Sequence, residues 1–488
     1  MPSPQLVDAV LAHGENRPER VALVSHRRTV TYRELADTVR TFRHRLGRLG
    51  PIAGNTVCVP AHKSPETLAL MLAAFREGLV VLAPSPDLGS AARDRLCRQA
   101  RASHLLAVTD NGVISAEPVA QDAADASRFG TPDPGTTRLL LTTSGSTGTP
   151  KIVPIPLDGF AAFADWAARD FGLTADDTSL SYAPLNFDLA LLDVWTFLRE
   201  GARVVLVDQD RAADGAHLRH LVAAHTVTFV QGVPLLHRLL TGDGTAFPAV
   251  RQVVTTGEAL GPELLRPLAA AFPGARFHNV FGCTETNDSF IHSFSPATCE
   301  GRLPIGRPVE GVRAELLTPE GKRLSGPGMG ELLVTTPFQT SGYLESSLNA
   351  KAFTEIEGHP YYRTGDLVTR GTDGLLYLEG RADWQVKIRG VRTNLLEVET
   401  VIASHPDVTE AVVVALPDEQ AGVRLHAQVV RRPASSLTGL GLRAHAGRHL
   451  PRHAIPSSVR VTEAPLPRTS TGKPDRGLIK ADRLKESA

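Results

Sequence analysis

The stretch LLLTTSGSTGTPKIVPI, Leu139 to Ile155, sets hydroxyl residues and two glycines between two apolar runs, then closes on a proline and a lysine. The flanking runs read as strands, so the polar segment is a connection inside a sheet. Glycine opens dihedrals closed to other residues, and successive N–H groups in such a turn form a concave anion site. The hydroxyls add donors and Lys151 adds a cation, which makes phosphate the natural ligand. The Walker pattern GxxxxGK[ST] does not fit, because Pro150 stands where its second glycine belongs and Ile152 follows Lys151. A Ser/Thr/Gly segment is also the composition of a solvated linker. Two readings therefore stand here, a linker or a loop built for an anion.

On the N-terminal side, VALVSH, TVCVPA and LVVLAPS alternate with the helical runs YRELADTVRTFRHRLGRLG and PETLALMLAAFREG. Strands alternating with helices of about 10–15 residues predict βαβ units and a largely parallel sheet. The alternation resumes at ARVVLVD, VTFVQG and RQVVTTG, between Ala202 and Gly257. From about Gly306 the texture changes to short glycine-punctuated strands, GELLVTTP and GLLYLEGR, which predict an antiparallel section. After Arg381 comes a compact α+β pattern: QVKIRG, the helical LLEVETVIASH, and the strands EAVVVALP and HAQVVRR. The stretch RPASSLTGLG, Arg432 to Gly441, reads as a mobile loop.

The chain has 488 residues, 42% of them hydrophobic, enough for a sizeable core and more than one domain. Basic and acidic residues balance at 52 each, so net charge gives no case for nucleic acid or a membrane surface. Any anion must be bound locally. Cys58, Cys97, Cys283 and Cys299 are far apart, without metal spacing, and read as reduced thiols. No leader pattern or run of roughly 18 apolar residues is present, and a cytoplasmic location is expected.

Further motifs follow the glycine loop in order: FGCTET (Phe281 to Thr286), YRTGD (Tyr362 to Asp366), GRADWQVKIRGVR (Gly380 to Arg392) and PRTSTGK (Pro467 to Lys473). With TSGSTGTPK they resemble, over nearly the whole chain, the adenylate-forming superfamily of acyl-CoA synthetases, luciferases and nonribosomal peptide synthetase adenylation domains. The resemblance implies an α/β fold: a large N-terminal domain, 1–382, of α/β sheets plus a β-rich subdomain, and a small mobile α+β C-terminal domain, 383–488. It also implies activation of a carboxylate by ATP with Mg2+.

Carried over residue by residue, the resemblance makes Lys473 the lysine that bridges the attacking carboxylate and the phosphate; in isolation it would read as a surface lysine of a tail. Thr143, Ser144, Gly145, Ser146, Thr147, Gly148 and Lys151 match the phosphate loop. Glu285 matches a Mg2+ ligand and Thr284 a phosphate-contacting hydroxyl. Gly257, Glu258, Ala259 and Asn279 match the adenine side. Phe281 matches an adenine-stacking ring, with a core phenylalanine as the alternative. Asp366 matches the carboxylate that takes the ribose hydroxyls, and Arg381 supports it. Asp383 matches a hinge about which the small domain rotates, bringing Lys387 to Gly390 into the site, with Gly390 bordering a pantetheine tunnel. Arg392 matches a phosphate contact. Structural ion pairing is the alternative for both arginines.

Asn186-Phe187-Asp188-Leu189-Ala190 resembles the amino-acid-activating branch, in which this aspartate binds the substrate ammonium. An aspartate in an apolar stretch calls for a cation, although a helix N-cap would also use it. The remaining specificity positions fall on Leu189, Leu192, Gln231, Val254, Thr256, Val280, Asp288 and Ser289. Aliphatic walls with Gln231, Asp288 and Ser289 fit a short side chain carrying a hydroxyl or amine. Serine, 2,3-diaminopropionate and 2,4-diaminobutyrate are expected, or glycine, alanine or proline if Asp288 points elsewhere. No condensation-type HHxxxD or carrier-type GGxS sequence is present. The expectation is a stand-alone ligase of natural-product biosynthesis that delivers its aminoacyl group to the phosphopantetheine of a separate carrier protein. The competing readings are an acyl- or aryl-CoA ligase, an aminoacyl-AMP synthetase with a non-thiol acceptor, and a silent adenylation fold used as an interaction module.

Overall fold

The computed structural model describes residues 2–51, 53–120, 128–143, 150–299, 301–381, 385–418, 422–433, 435–468 and 474–487. The chain divides into two compact units. One comprises 1–86, 97–142 and 152–382; the other comprises 87–96, 143–151 and 383–488.

Three sheets build the large unit. The first has nine strands in the order Arg307–Pro308, Asn287–Phe294, Arg276–Cys283, Gln252–Thr255, Phe229–Gly232, Thr178–Ser181, Arg203–Leu206, Val21–Val24 and Thr29–Thr31. Its six central strands, Arg276–Cys283 through Val21–Val24, pair in parallel. Side chains alternate across it: Leu23, Val204, Phe229 and Val254 enter one core, while Val24, Val205, Val230 and Val253 enter the other. Both faces are buried, which is why these strands read as continuous apolar runs.

The βαβ pattern before Pro86 predicts one sheet, but its strands divide between two. Val21–Val24 joins the nine-stranded sheet, whereas Thr56–Cys58 and Val80–Leu82 are central in a six-stranded sheet that ends in the neighbours Thr137–Thr143 and Lys151–Pro156. Local sequence carries the strand signal but not the partner, which for Val24 is Val205. The helices form where expected. Thr31 and Glu34 close a capping box at the start of Tyr32–Leu46, and Ser64 caps Pro65–Arg76 with proline at the first turn. The antiparallel section is a five-stranded sheet containing Gly328–Thr335, His359–Arg370 and Leu376–Arg381.

In the smaller unit, Val408–Asp418, Gly422–Arg431 and Ser458–Thr462 form one sheet. Val413, Ala427 and Val429 pack with helices Leu395–Ala403 and Gly439–Ala446, while Val412, Val414 and Leu416 pack with Ile479 of helix Arg476–Ser487. Part of the expected mobile loop is ordered structure: Leu437 is buried and Thr438 caps the helix Gly439–Ala446. No helix among the described residues is long and apolar enough to cross a membrane. No disulfide joins Cys58, Cys97, Cys283 or Cys299 among the described residues.

A buried polar chain crosses the nine-stranded sheet. Gln252 Nε2 donates to Phe171 O at 2.8 Å, which turns Gln252 Oε1 toward His278 Nε2 at 3.0 Å. His278 therefore carries its proton on Nε2, and Nδ1 accepts from Ser293 Oγ at 2.8 Å. Burial holds His278 down at about 4 from the ordinary 6.5, and burial does the same to His237. On acidification the unfolded chain takes up these protons first, so their contribution to stability is complete above 6.5 and lost as pH falls toward about 4. The melting midpoint read from tryptophan fluorescence should fall across that window, since Trp166 and Trp195 are buried in the large unit. H278Q should make the fall shallower; a slope identical to wild type would contradict the assignment.

Candidate active site

Parallel pairing places the carboxyl ends of Thr178–Ser181, Phe229–Gly232, Gln252–Thr255 and Arg276–Cys283 on one side of the nine-stranded sheet. Ligands of open α/β sheets bind beyond such ends. The chain segments that leave these ends carry Asp188, Gly257 and Thr284 in turn. Residues 96 positions apart then meet: Thr284 Oγ1 donates to Asp188 Oδ2 at 2.8 Å. The helical turn after Asp188 is a π turn, Leu191–Thr196, whose N-terminal residue Ala190 makes no side-chain cap, and Leu191 N donates to the main-chain oxygen of Asp188. The Asp188 carboxylate thus faces Thr284.

Strand alternation gathers the pocket positions. Gln231 pairs in register with Val254, and Thr256 and Val280 follow at even spacing on the same face. Gln231, Val254, Thr256, Val280 and Leu192 are all buried, whereas Leu189 is half-buried. Gln231 Nε2 donates to Leu189 O at 3.1 Å, while Gln231 Oε1 is buried with no hydrogen-bond partner among the described residues. The strand Asn287–Phe294 carries a bulge opposite Phe281 and Gly282. There a Cβ on Gly282 would lie 2.0 Å from Asn287 O, so only glycine fits. Ser289 lies in this bulge, and its hydroxyl donates to Thr286 O at 3.1 Å and to Asn287 O at 3.2 Å. Ser289 therefore spends its donor on its own strand, while Asp288 stays half-buried.

On the adenine side expected from the sequence, Gly257 is left-handed at φ 84°, Glu258 is half-buried and Ala259 exposed. Asn279 is buried and donates from Nδ2 to Pro304 O at 2.7 Å. Phe281 is buried with its ring edge-to-face with Phe290 at 5.9 Å.

Glu285 is 1% exposed, and Tyr343 Oη donates to its Oε1 at 2.5 Å while lying 3.1 Å from Tyr362 Oη. Thr340 ties Glu285 to the strand that leaves the glycine loop: its N–H donates to Glu285 O at 2.9 Å and its hydroxyl to Pro154 O at 2.7 Å. Among the described residues no group of three or more His, Cys, Asp or Glu side chains could hold a metal ion. One hard carboxylate fits a Mg2+ that brings phosphate oxygens and water as its other ligands. Ser144, Gly145, Ser146, Thr147 and Gly148 lie outside the described residues. At the loop's entrance Thr143 Oγ1 is buried without a partner among the described residues, an orphaned polar atom of the kind a ligand oxygen satisfies. Lys151, half-buried, begins the next strand.

Asp366 and Arg381 are direct cross-strand partners, with Arg381 Nη1 donating to Asp366 Oδ1 at 2.8 Å and Arg381 Nη2 to Thr364 O at 2.9 Å. In the smaller unit Lys387 pairs in register with Arg392 in the hairpin Gln385–Ile388 and Val391–Asn394. Its two-residue turn, Arg389 at φ 52° and Gly390 at φ 81°, is of the primed type, so the turn alone already favours glycine at 390. Asp383 and Lys473 lie outside the described residues.

Three neighbours of the site escaped the motif reading. Tyr343, partner of Glu285, carries no local signal. Asp193 does: it interrupts LALLDVWTFL as Asp188 interrupts its own surroundings. Asp193 is fully buried, and burial pushes its carboxyl up against the pull of Lys63. Burial in turn pulls the Lys63 ammonium down.

A model of the AMP-binding enzyme family matches residues 10–344, and one of the AMP-binding enzyme C-terminal domain matches 397–473. An L-proline--[L-prolyl-carrier protein] ligase from Pseudomonas fluorescens is 31% identical over 487 residues, which cover 94% of this chain and 95% of that protein. A phenyloxazoline synthase from a Mycobacterium species is 31% identical over 99% of this chain, which spans only 42% of that longer protein. An adenylation domain from Vibrio cholerae, solved in complex with glycyl-adenosine-5'-phosphate, has the same fold, with a TM-score of 0.83 at 21% identity over 99% of this chain and 97% of that one. With both family models matched in order and a full-length relative aligned end to end, the chain belongs to the AMP-binding, adenylate-forming enzymes.

Proposed function

We propose that this enzyme activates a small amino acid as its aminoacyl adenylate and passes the aminoacyl group to the phosphopantetheine thiol of a separate carrier protein. A carboxylate oxygen of the amino acid attacks the α-phosphorus of ATP, the bond to the β-phosphate breaks, and pyrophosphate leaves with the electron pair. The thiol then loses its proton, its sulfur attacks the acyl carbonyl, and AMP departs. Such chemistry rests on positioning and on neutralising charge more than on covalent help from the protein.

The observation that carries the reading is the hydrogen bond from Thr284 to Asp188, which puts a carboxylate beside the FGCTET motif. Asp188 holds the substrate ammonium, and Thr284 fixes the orientation of that carboxylate. Glu285, held by Tyr343, would hold Mg2+ together with phosphate oxygens, and the ion when bound would supply positive charge against the phosphates. Thr143 and Lys151 flank the loop that holds the phosphates. Asp366 takes the ribose hydroxyls while Arg381 keeps its carboxylate aimed. Lys473 bridges carboxylate and phosphate, Arg392 contacts phosphate, and rotation at Asp383 brings Lys387 to Gly390 into the site for the thiol step. Gln231 Oε1, a buried acceptor without a partner among the described residues, favours a substrate with a side-chain hydroxyl or amine such as serine, 2,3-diaminopropionate or 2,4-diaminobutyrate. Proline, the substrate named for the Pseudomonas relative, would leave that oxygen unsatisfied.

ATP–pyrophosphate exchange across a panel of amino acids tests the reading: exchange is expected with a small amino acid, and exchange only with fatty or aryl acids would overturn it. D188A should raise the amino-acid KM by about 10- to 100-fold and leave the KM for ATP nearly unchanged. K473A should abolish adenylation while preserving thiol transfer from a preformed adenylate; equal loss of both steps would refute the two-conformation assignment.

A further inference from the structure

The segment from Tyr182 to Asp193 joins the strand Thr178–Ser181 to the π turn Leu191–Thr196, with Asp188 near its middle. Its two ends share one cation. Lys63 Nζ donates to Ser181 O at 2.8 Å and to Tyr182 O at 2.9 Å, which holds the first end. Asp193, at the second end, is 0% exposed, and its carboxylate makes no close hydrogen bond among the described residues, with the Ser181 hydroxyl and the Tyr182 main chain as its neighbouring donors. The charge that reaches it is that of Lys63. The main chain of the second end is also pinned, because Ser179 Oγ donates to Asp193 O at 2.5 Å. Within the turn, Thr196 Oγ1 donates five residues back to Leu191 O at 2.7 Å.

Lys63 itself is rigidly presented. It precedes Ser64, whose side chain accepts from Thr67 N and caps the helix Pro65–Arg76. That helix follows a strand of the six-stranded sheet, whereas the carbonyls that Lys63 holds belong to the nine-stranded sheet. A lysine and a carboxylate buried together cost desolvation that apolar residues of similar volume would avoid. If holding the sheets together were the whole purpose, apolar side chains would serve as well.

We infer that Lys63 and Asp193 form an electrostatic clamp that closes both ends of the 182–193 segment and so positions Asp188 in the amino-acid site. Lys63 is a positioning residue in this scheme and touches no substrate. The consequence for catalysis rests on Asp188 being the ammonium partner; the clamp itself does not.

Two measurements separate these levels, made on the full chain with Lys63→Met and with the double variant K63M/D193N. The double variant removes the lone buried carboxylate and keeps the test open if the single variant does not fold. Hydrogen exchange without substrate should show the amides of residues 185–190 losing protection by about tenfold or more in both variants, with those of Arg203–Leu206 unchanged. The KM for whichever of serine, 2,3-diaminopropionate, glycine or proline the wild-type chain turns over should rise about tenfold, with the ATP KM within about twofold of wild type. Wild-type protection in the double variant would overturn the clamp and reduce the pair to a buried ion pair. An ATP KM rising in step with that for the amino acid would also overturn the positioning role. Lost protection with an unmoved amino-acid KM would keep the clamp and instead sink Asp188 as the ammonium partner.

Discussion

Six parallel strands in register put all their carboxyl ends on one side of a sheet, and the site depends on that constraint more than on any single contact. Because side chains alternate with a period of two, the choice of register also decides which residues share one face of the sheet. Gln231 is opposite Val254, and Val254 is opposite His278, so Val280 falls on the same face two residues on. A slip of one residue anywhere in this series would replace Val254 by Val253, which belongs to the other core. The gathering of these proposed pocket positions is therefore a by-product of buried apolar pairing on both sheet faces. The polar groups enter at the strand ends, where backbone geometry is no longer set by the ladder.

At those ends the protein leaves polar atoms incompletely satisfied. Thr143 Oγ1, Gln231 Oε1 and both carboxylate oxygens of Asp193 are buried without hydrogen-bond partners among the described residues. Such atoms cost about 1–3 kcal/mol each when left unpaired, and native proteins carry few of them. Two of the three sites flank features read independently as ligand-binding: the glycine loop after Thr143 and the Leu189 segment beside Gln231. Asp193 differs, since its compensation comes from within the protein, from the charge of Lys63 and the neighbouring Ser181 and Tyr182.

What was legible in the sequence follows from the range of the interactions involved. The runs VALVSH, VTFVQG and RQVVTTG announce strands because burial is a local property of the run, and Thr31 with Glu34 or Ser64 with Pro65 announce helix starts within four residues. The partition of Val21–Val24 and Thr56–Cys58 into different sheets was not legible, because pairing with Val204 and Val205 is a contact made some 180 residues away. At the site, Asp188, Thr284, Glu285, Asp366 and Arg381 were found by motif, but the bond between Asp188 and Thr284 was not. The position of Ser289 predicts a pocket donor, and the bulge that turns its hydroxyl onto Thr286 and Asn287 has no signature in NDSF. Gly390 was explained by close approach of a ligand, although the primed turn with Arg389 already favours it.

Lys63 and Asp193 mark the limit of this kind of reading from the other direction. A carboxylate among apolar residues needs a cation, and Asp193 needs one more than Asp188 because it is the more deeply buried of the two. Asp188 sits in a turn that opens toward Thr284, and under the proposed function the substrate ammonium is the cation it meets. Asp193 sits inside the π turn, where Lys63 is the cation that acts on it among the described residues. The same physical rule therefore supports a proposed binding role in one case and an internal support in the other. Here the lysine comes from a loop more than 100 residues earlier that borders a different sheet, and only the folded chain shows it.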